Sequence, residues 1–360
     1  MPRLALTLLL IPTILLAQED STPRPRHRAG HWHIALAYRD NGITIGNAAR
    51  TNGIRINAID DDLDLVNGVN LTLWRPREPL SGTVNGLAVG LGPGAQHFNG
   101  IAVGLAAVVA ERRARWITVG GLAAVSNDKL EGLSVSGLGT VANGDIAGIA
   151  LAGLGTVANR DARGLIVAGL GTVANRDLSG IAIAGLGTVA NRNLTGIGVS
   201  GLGTVANGSL GGFSFGGLAT VANRNLTGIG IGGLATVANG NTTGLSVGGL
   251  ASVTNGTLKG VGLGGLAVVA NEQLRGIGIA GYTVDSRSIR GWTTALYVKT
   301  RELHGVSVGA YNRVRGPQRG LSIGIYNSAR VLNGLQLGVL NRAQNNRGIW
   351  RILPLVNAHF

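Results

Sequence analysis

Apolar residues in this chain fall into a short pattern that returns at a fixed step. From Gly180 to Thr195 the sequence reads GIAIAGLGTVANRNLT. Ile181 and Ile183 alternate with Ala182 and Ala184, which is the period of an extended strand whose successive side chains face opposite ways. Leu186, Val189 and Leu194 add further apolar positions. The expectation is that these five large aliphatics are buried and that the opposite face of Ala, Ser and Gly meets the surroundings. A helix would carry three glycines per unit, each costing about 1 kcal/mol relative to alanine. Asn-Arg-Asn or Asn-Gly then predicts a turn, because Asn and Gly tolerate positive φ.

The unit is not isolated. GLGTVAN at Gly137–Asn143 returns unchanged at 153, 169, 185 and 201, with close variants at 217, 233, 249 and 265. Every step has the same length, that of the unit Gly180–Thr195. More loosely, units opening Gly-apolar-x-apolar begin at 53, 68, 86 and 100, with Trp116 taking the glycine slot once. They continue at the same constant step from 132 to 276, then at 291, 305, 320, 334 and 348. That makes about 20 units, 14–16 residues long apart from one of 18. One unit has too few apolar side chains to fold alone, so each must share backbone hydrogen bonds with its neighbours.

Two all-β architectures satisfy this. In a β-solenoid each unit is one coil, and equivalent strands pair in parallel. In an antiparallel outer-membrane β-barrel each unit is one strand and one turn, so short and long turns alternate. Alternation would make the turn residues repeat over every second unit. Read after each asparagine they run GDIA, RDAR, RDLS, RNLT, GSLG, RNLT, GNTT, GTLK and EQLR, and apart from the matching RNLT pair at 192 and 224 no such period is evident. A single elongated solenoid of about 20 coils is therefore expected. The asparagines at 127, 143, 159 and onward to 271 are predicted to form a column of hydrogen-bonded amides. The barrel keeps two arguments: strands such as NGLQLGVLN at 333–341, which would serve a lipid-facing wall as well as a solenoid side, and the terminal aromatic Phe360 after LPLVNAH, which resembles the last strand of many bacterial outer-membrane barrels. Pro354 weakens that strand.

Composition narrows the class. There are 61 glycines in 360 residues, aromatics are 4% and charged residues 13%, about half the usual charged share. Disordered chains are charged and poor in apolar residues, and collagen needs glycine at every third position, so neither fits. Residues 1–17 read as a signal peptide, with Arg3, an apolar run over Leu4–Leu16 and Ala17 before the cut. Residues 18–41 form a polar leader and first strand, and 42–360 the tandem-repeat domain. The chain contains no cysteine, so packing and backbone pairing must hold the fold without disulfides. A net charge of +14 suits an anionic envelope polymer or the outer membrane. Nucleic acid is not expected, because no stripe of aromatic and basic residues suited to stacking bases is evident.

Catalytic and metal chemistry find little support. His31 and His33 share a strand face but lack a third ligand. Asp60, Asp62 and Asp64 alternate as carboxylates for a hard cation would, yet a calcium loop opening at Asp60 needs Gly at 65 and Glu at 71, where the chain has leucine. His97, His304 and His359 lie far apart. The Gly-x-Gly strings lack the strand–turn–helix setting of a dinucleotide site. Asp161 above Asp177 would pair two carboxylates as in polysaccharide cleavage, but Arg160, Arg163 and Arg176 share those turns and point to a charge-balanced ladder. No catalytic, cofactor or metal residue is assigned.

At GLSIGIYN (320–327) and GLQLGVLN (334–341) the chain resembles a bacterial surface-repeat family of spirochaete type, built of tandem Gly-apolar-x-apolar-Gly-apolar-x-Asn units behind a signal peptide. The resemblance covers most of residues 53–357 and implies export to the cell surface or outer membrane, with no activity attached. The central units depart from it by inserting residues before the asparagine. The functional expectation is a non-enzymatic, exported scaffold or adhesion surface at the cell envelope, with an outer-membrane barrel or pore as the alternative.

Overall fold

The computed structural model describes residues 32–75 and 79–360. The signal-peptide reading and His31 lie outside the described residues. Strands take up 76% of the chain, and the one helical element among the described residues is a 3₁₀ turn at Gly348–Arg351. The class is therefore all-β.

A central coil shows how the repeat folds. Leu178–Ala184 is a long strand, two residues turn, and Gly187–Ala190 is a short strand. The Asn191–Asn193 turn then leads into the next long strand, Leu194–Ser200. Each residue pairs in parallel with its equivalent one coil on: Leu178 with Leu194, Gly180 with Gly196, Ile183 with Val199, and Val189 with Val205. Like stacking on like is a β-solenoid, and the barrel reading is overturned by this parallel register. The stack amounts to about 17 turns, fewer than the 20 or so units counted. One reason is that Gly348 opens a 3₁₀ turn instead of a coil.

Antiparallel strands close both ends. His33–Tyr38 folds back on Asn41–Gly46 through a turn with positive φ at Arg39 and Asp40. Ile352–His359 runs antiparallel along the last coil, pairing Leu335 with Ala358 and Leu337 with Val356. Each covers an edge that would otherwise template further strands. Pro354 sits in this end strand and Phe360 is 98% exposed beyond it, so neither builds a barrel wall.

The glycine that opens each unit is a corner within the long strand. Gly180 has φ of +111°, and a Cβ there would run into the carbonyl oxygen of Gly164 in the coil before. The inward–outward alternation runs through the corner unbroken. Leu178 points in before it, and Ala182 and Ala184 point in after it. Trp116 holds this slot with φ of +81°, a left-handed conformation costing a side chain about 1–2 kcal/mol. Glycine would relieve that strain and lose about 0.5–1 kcal/mol to greater unfolded-state freedom. Trp116→Gly is therefore expected to raise the thermal midpoint slightly. A lower midpoint would show that the indole's contacts outweigh the strain.

The inside and outside of the coil are the reverse of the sequence expectation. Of the five large aliphatics, only Leu194 is in the core; Ile181, Ile183 and Leu186 are exposed and Val189 half-buried. The core instead holds Ala182, Thr188, Ala190 and the leucine column through Leu178, Leu194, Leu210 and Leu226. The reason is room. At Gly198 an added Cβ would already lie 3.1 Å from Leu194 Cδ1 and 3.1 Å from Thr204 Cγ2. A coil this short closes around one large side chain per level. The single isoleucine in that small-residue column, Ile166, is fully buried in the coil where the leucine column carries Ala162.

Candidate functional site

With the small side chains inside, the outer surface acquires a regular chemistry. Leu154, Leu170, Leu186, Leu202 and Leu234 are each 47% exposed on the turn between long and short strands. On one side of them run the outward residues of the long strands, such as Ile149, Ile181, Ile197 and Ile229. On the other run half-buried valines of the short strands, including Val173, Val189 and Val205. The three columns join into one aliphatic flank, unbroken by a charged group from 138 to 250.

The opposite edge is polar. Asn143 Nδ2 donates to Asn127 Oδ1 at 3.1 Å, and the same bond repeats coil by coil to Asn271, which donates to Asn255 at 2.8 Å. The amide column predicted from the repeat is thus present and exposed. Beside it, Arg176, Arg192 and Arg224 stand exposed with no carboxylate partner among the described residues.

The paired carboxylates are occupied structurally. Asp161 Oδ1 accepts the Asp177 backbone N–H at 3.2 Å, and its Oδ2 accepts from Arg163 Nη2 at 2.8 Å. Asp177 Oδ1 accepts from both the backbone and the side chain of Asn193. Each carboxylate therefore pins the turn of the following coil.

The alternating aspartates do not converge. Asp60 is fully buried and paired with Arg55 at 2.5 Å, with Asn57 and Asn70 donating to the same oxygen at 3.0 Å. Asp64 is exposed beside Arg50 at 3.5 Å. Burial lowers the Arg55 pKa from its ordinary value, and Asp60 opposes that shift. Asp60 is thus held inside by Arg55 instead of facing a cation, because a buried guanidinium needs its charge matched. Among the described residues no three His, Asp or Glu side chains, His33 included, are placed to share a metal ion.

His97 is half-buried, and its pKa is lowered by burial first and then by Arg112, Arg113 and Arg115. The folded chain thus favours neutral imidazole. Between the folded and unfolded pKa values the unfolded chain binds more protons, so this contribution to stability is present above about pH 6.5 and falls on acidification. The imidazole titration followed by NMR should have its midpoint below about 6.5, and Arg113→Gln should move it upward.

Two features escaped the sequence reading. Asn312, Asn327 and Asn341 form a buried amide column in the last coils, at 2.7 and 2.8 Å. Tyr297, Tyr311 and Tyr326 form a ladder on the outside, with ring centroids 6.2 and 5.0 Å apart. Tyr297 to Tyr311 is the same step as Gly291 to Gly305, and Tyr311 to Tyr326 the same as Gly305 to Gly320. That match with the unit openings was the signal available.

No family model, curated protein or solved structure matches the chain. The likeness to spirochaete-type surface repeats therefore rests on the repeat motif alone.

Proposed function

We propose that the protein is a non-enzymatic, exported repeat scaffold of the cell envelope, which rests its aliphatic flank on a lipid surface. The observation that carries this reading is the unbroken outward flank of Leu154, Leu170, Leu186, Leu202 and Leu234 with the Ile and Val columns beside it. Soluble monomers rarely leave contiguous apolar patches of more than a few hundred Å² open.

The chemistry of the flank favours lipid over a protein partner. Successive coils present nearly the same side chains, so a rigid partner shifted by one coil would meet the same contacts and have no defined register. Acyl chains need no register. A net charge of +14 suits a surface of anionic headgroups, where each basic residue near the surface contributes about 1 kcal/mol. No helix among the described residues is long and apolar enough to cross a membrane, and the reading requires only that one flank be seated.

Flotation with liposomes tests this. The protein is expected to rise with vesicles containing anionic lipid, and to remain partly bound at high salt because the apolar seat is not screened. A protein that stays at the bottom of the gradient with every lipid composition would overturn the reading.

A further inference from the structure

The outer face of the short strands changes character along the stack. In the central coils its outward positions read Gly187, Val189 and Asn191. Followed coil by coil through the register, the Gly187 column becomes Ala267, Thr283, Tyr297 and Tyr311. The Val189 column becomes Val269, Asp285, Lys299 and Arg313. Lys299 is neutralised by Asp285 at 3.1 Å. Beyond that pair the charged side chains lining the face are all basic. Arg313, Arg315, Arg330 and Arg342 line one trench of about 390 Å³ together with the three tyrosines, and no carboxylate lines it. None of these four arginines pairs with an acidic side chain among the described residues. All four are exposed.

We propose that this trench binds an anionic sugar chain, with the arginines holding its carboxylate or phosphate groups and the tyrosines stacking on its ring faces. Guanidinium groups match carboxylate and phosphate oxygens in pairs of parallel hydrogen bonds. Four of them converging without a counter-charge repel one another until an anion arrives. A bare anion would need no aromatic wall. The tyrosine ladder supplies flat apolar faces with hydroxyls at their rims, the chemistry that fits a sugar ring with its C–H face and hydroxyl edge. The rings already contact one another, which leaves no slot for a nucleobase to enter between them. The volume lies in the range of ligand sites. That such a chain is the partner met in life rests on the envelope reading above; the trench itself does not.

Binding by the full chain is to be measured by titration calorimetry with four probes: polygalacturonate, neutral dextran, inorganic polyphosphate and single-stranded oligothymidine. Polygalacturonate is expected to bind and dextran not to. The double variant Arg313→Gln/Arg330→Gln is expected to weaken polygalacturonate at least tenfold. Lys259→Gln/Arg275→Gln, which removes the same charge from another face, should change it less than twofold. Tyr311→Ala should weaken polygalacturonate at least fivefold and leave polyphosphate unchanged. All the substituted side chains are exposed, and unchanged circular dichroism melts show that the variants fold. Tighter binding of oligothymidine than of polygalacturonate would overturn the proposal. So would indifference of polygalacturonate to Tyr311→Ala, or equal losses in the two charge-removing variants. The titrations contain no lipid, so they read the trench independently of the aliphatic flank.

Discussion

Ala182→Ile is expected to destabilise the protein by about 1–3 kcal/mol, and Leu178→Ala by about 2–5 kcal/mol, while the double variant recovers most of the loss. Leu178 and Ala182 are both fully buried, on either side of the Gly180 corner. The coil has room for one large side chain between these two positions. Added alone, the isoleucine meets Leu178; removed alone, the leucine leaves a cavity. Together they recreate the preceding coil, where Ala162 and Ile166 fill the same volume in the opposite order. By contrast, Ile183→Ala on the outward face of the same strand should change stability by only about 0.5 kcal/mol. Denaturant unfolding of the wild type and the four variants measures all of this. If Ile183→Ala cost as much as Leu178→Ala, or if the double variant were no better than the worse single one, the inward placement of the small residues would be wrong.

The same reversal marks the limit of what could be read from the residues. The register was legible, because identical letters at a constant step are what parallel stacking of like on like requires. The exposed asparagine column followed from it directly. The direction of the faces was not legible. Alternation says that Ile183 and Ala182 point opposite ways, but not which way is in, and both faces here are apolar. Hydrophobicity favours the isoleucine inside. The size of the closed coil decides against it, through a core that already crowds a Cβ at Gly198. The buried Arg55–Asp60 pair was hidden for a different reason, since closeness along the chain carries no signal unless the path between the two residues is known. The tyrosine–arginine trench was hidden because the repeat loses its constant step there, with units opening at 291, 305 and 320. Tyr297, Tyr311 and Tyr326 then look like scattered aromatics until the register aligns them.

Carboxylates placed on the aliphatic flank should abolish lipid binding without unfolding the chain. The informative variant is Leu154→Glu/Leu186→Glu/Leu218→Glu. These leucines are close to half exposed on alternate coils, so the new charges stand about 9.6 Å apart, twice the strand spacing. They point away from the core, and their backbone bonds to neighbouring coils do not involve the side chain. Seating three leucines in the apolar boundary contributes an estimated ~3 kcal/mol or more, since full burial of one is worth about 1.5–3. Its loss corresponds to more than a hundredfold weaker vesicle binding at about 1.4 kcal/mol per factor of ten. The matching control is Thr195→Glu/Thr227→Glu/Thr243→Glu, which adds the same charge at exposed positions off the flank. It should cost only the screened electrostatic share, and that share should vanish at high salt. Equal losses in the two triples would mean that attraction between charges alone holds the protein to vesicles, and the apolar seat would have to be given up. A wild-type dimer in lipid-free solution that the leucine triple converts to monomer would instead identify the occupant of the flank as a second copy of the chain.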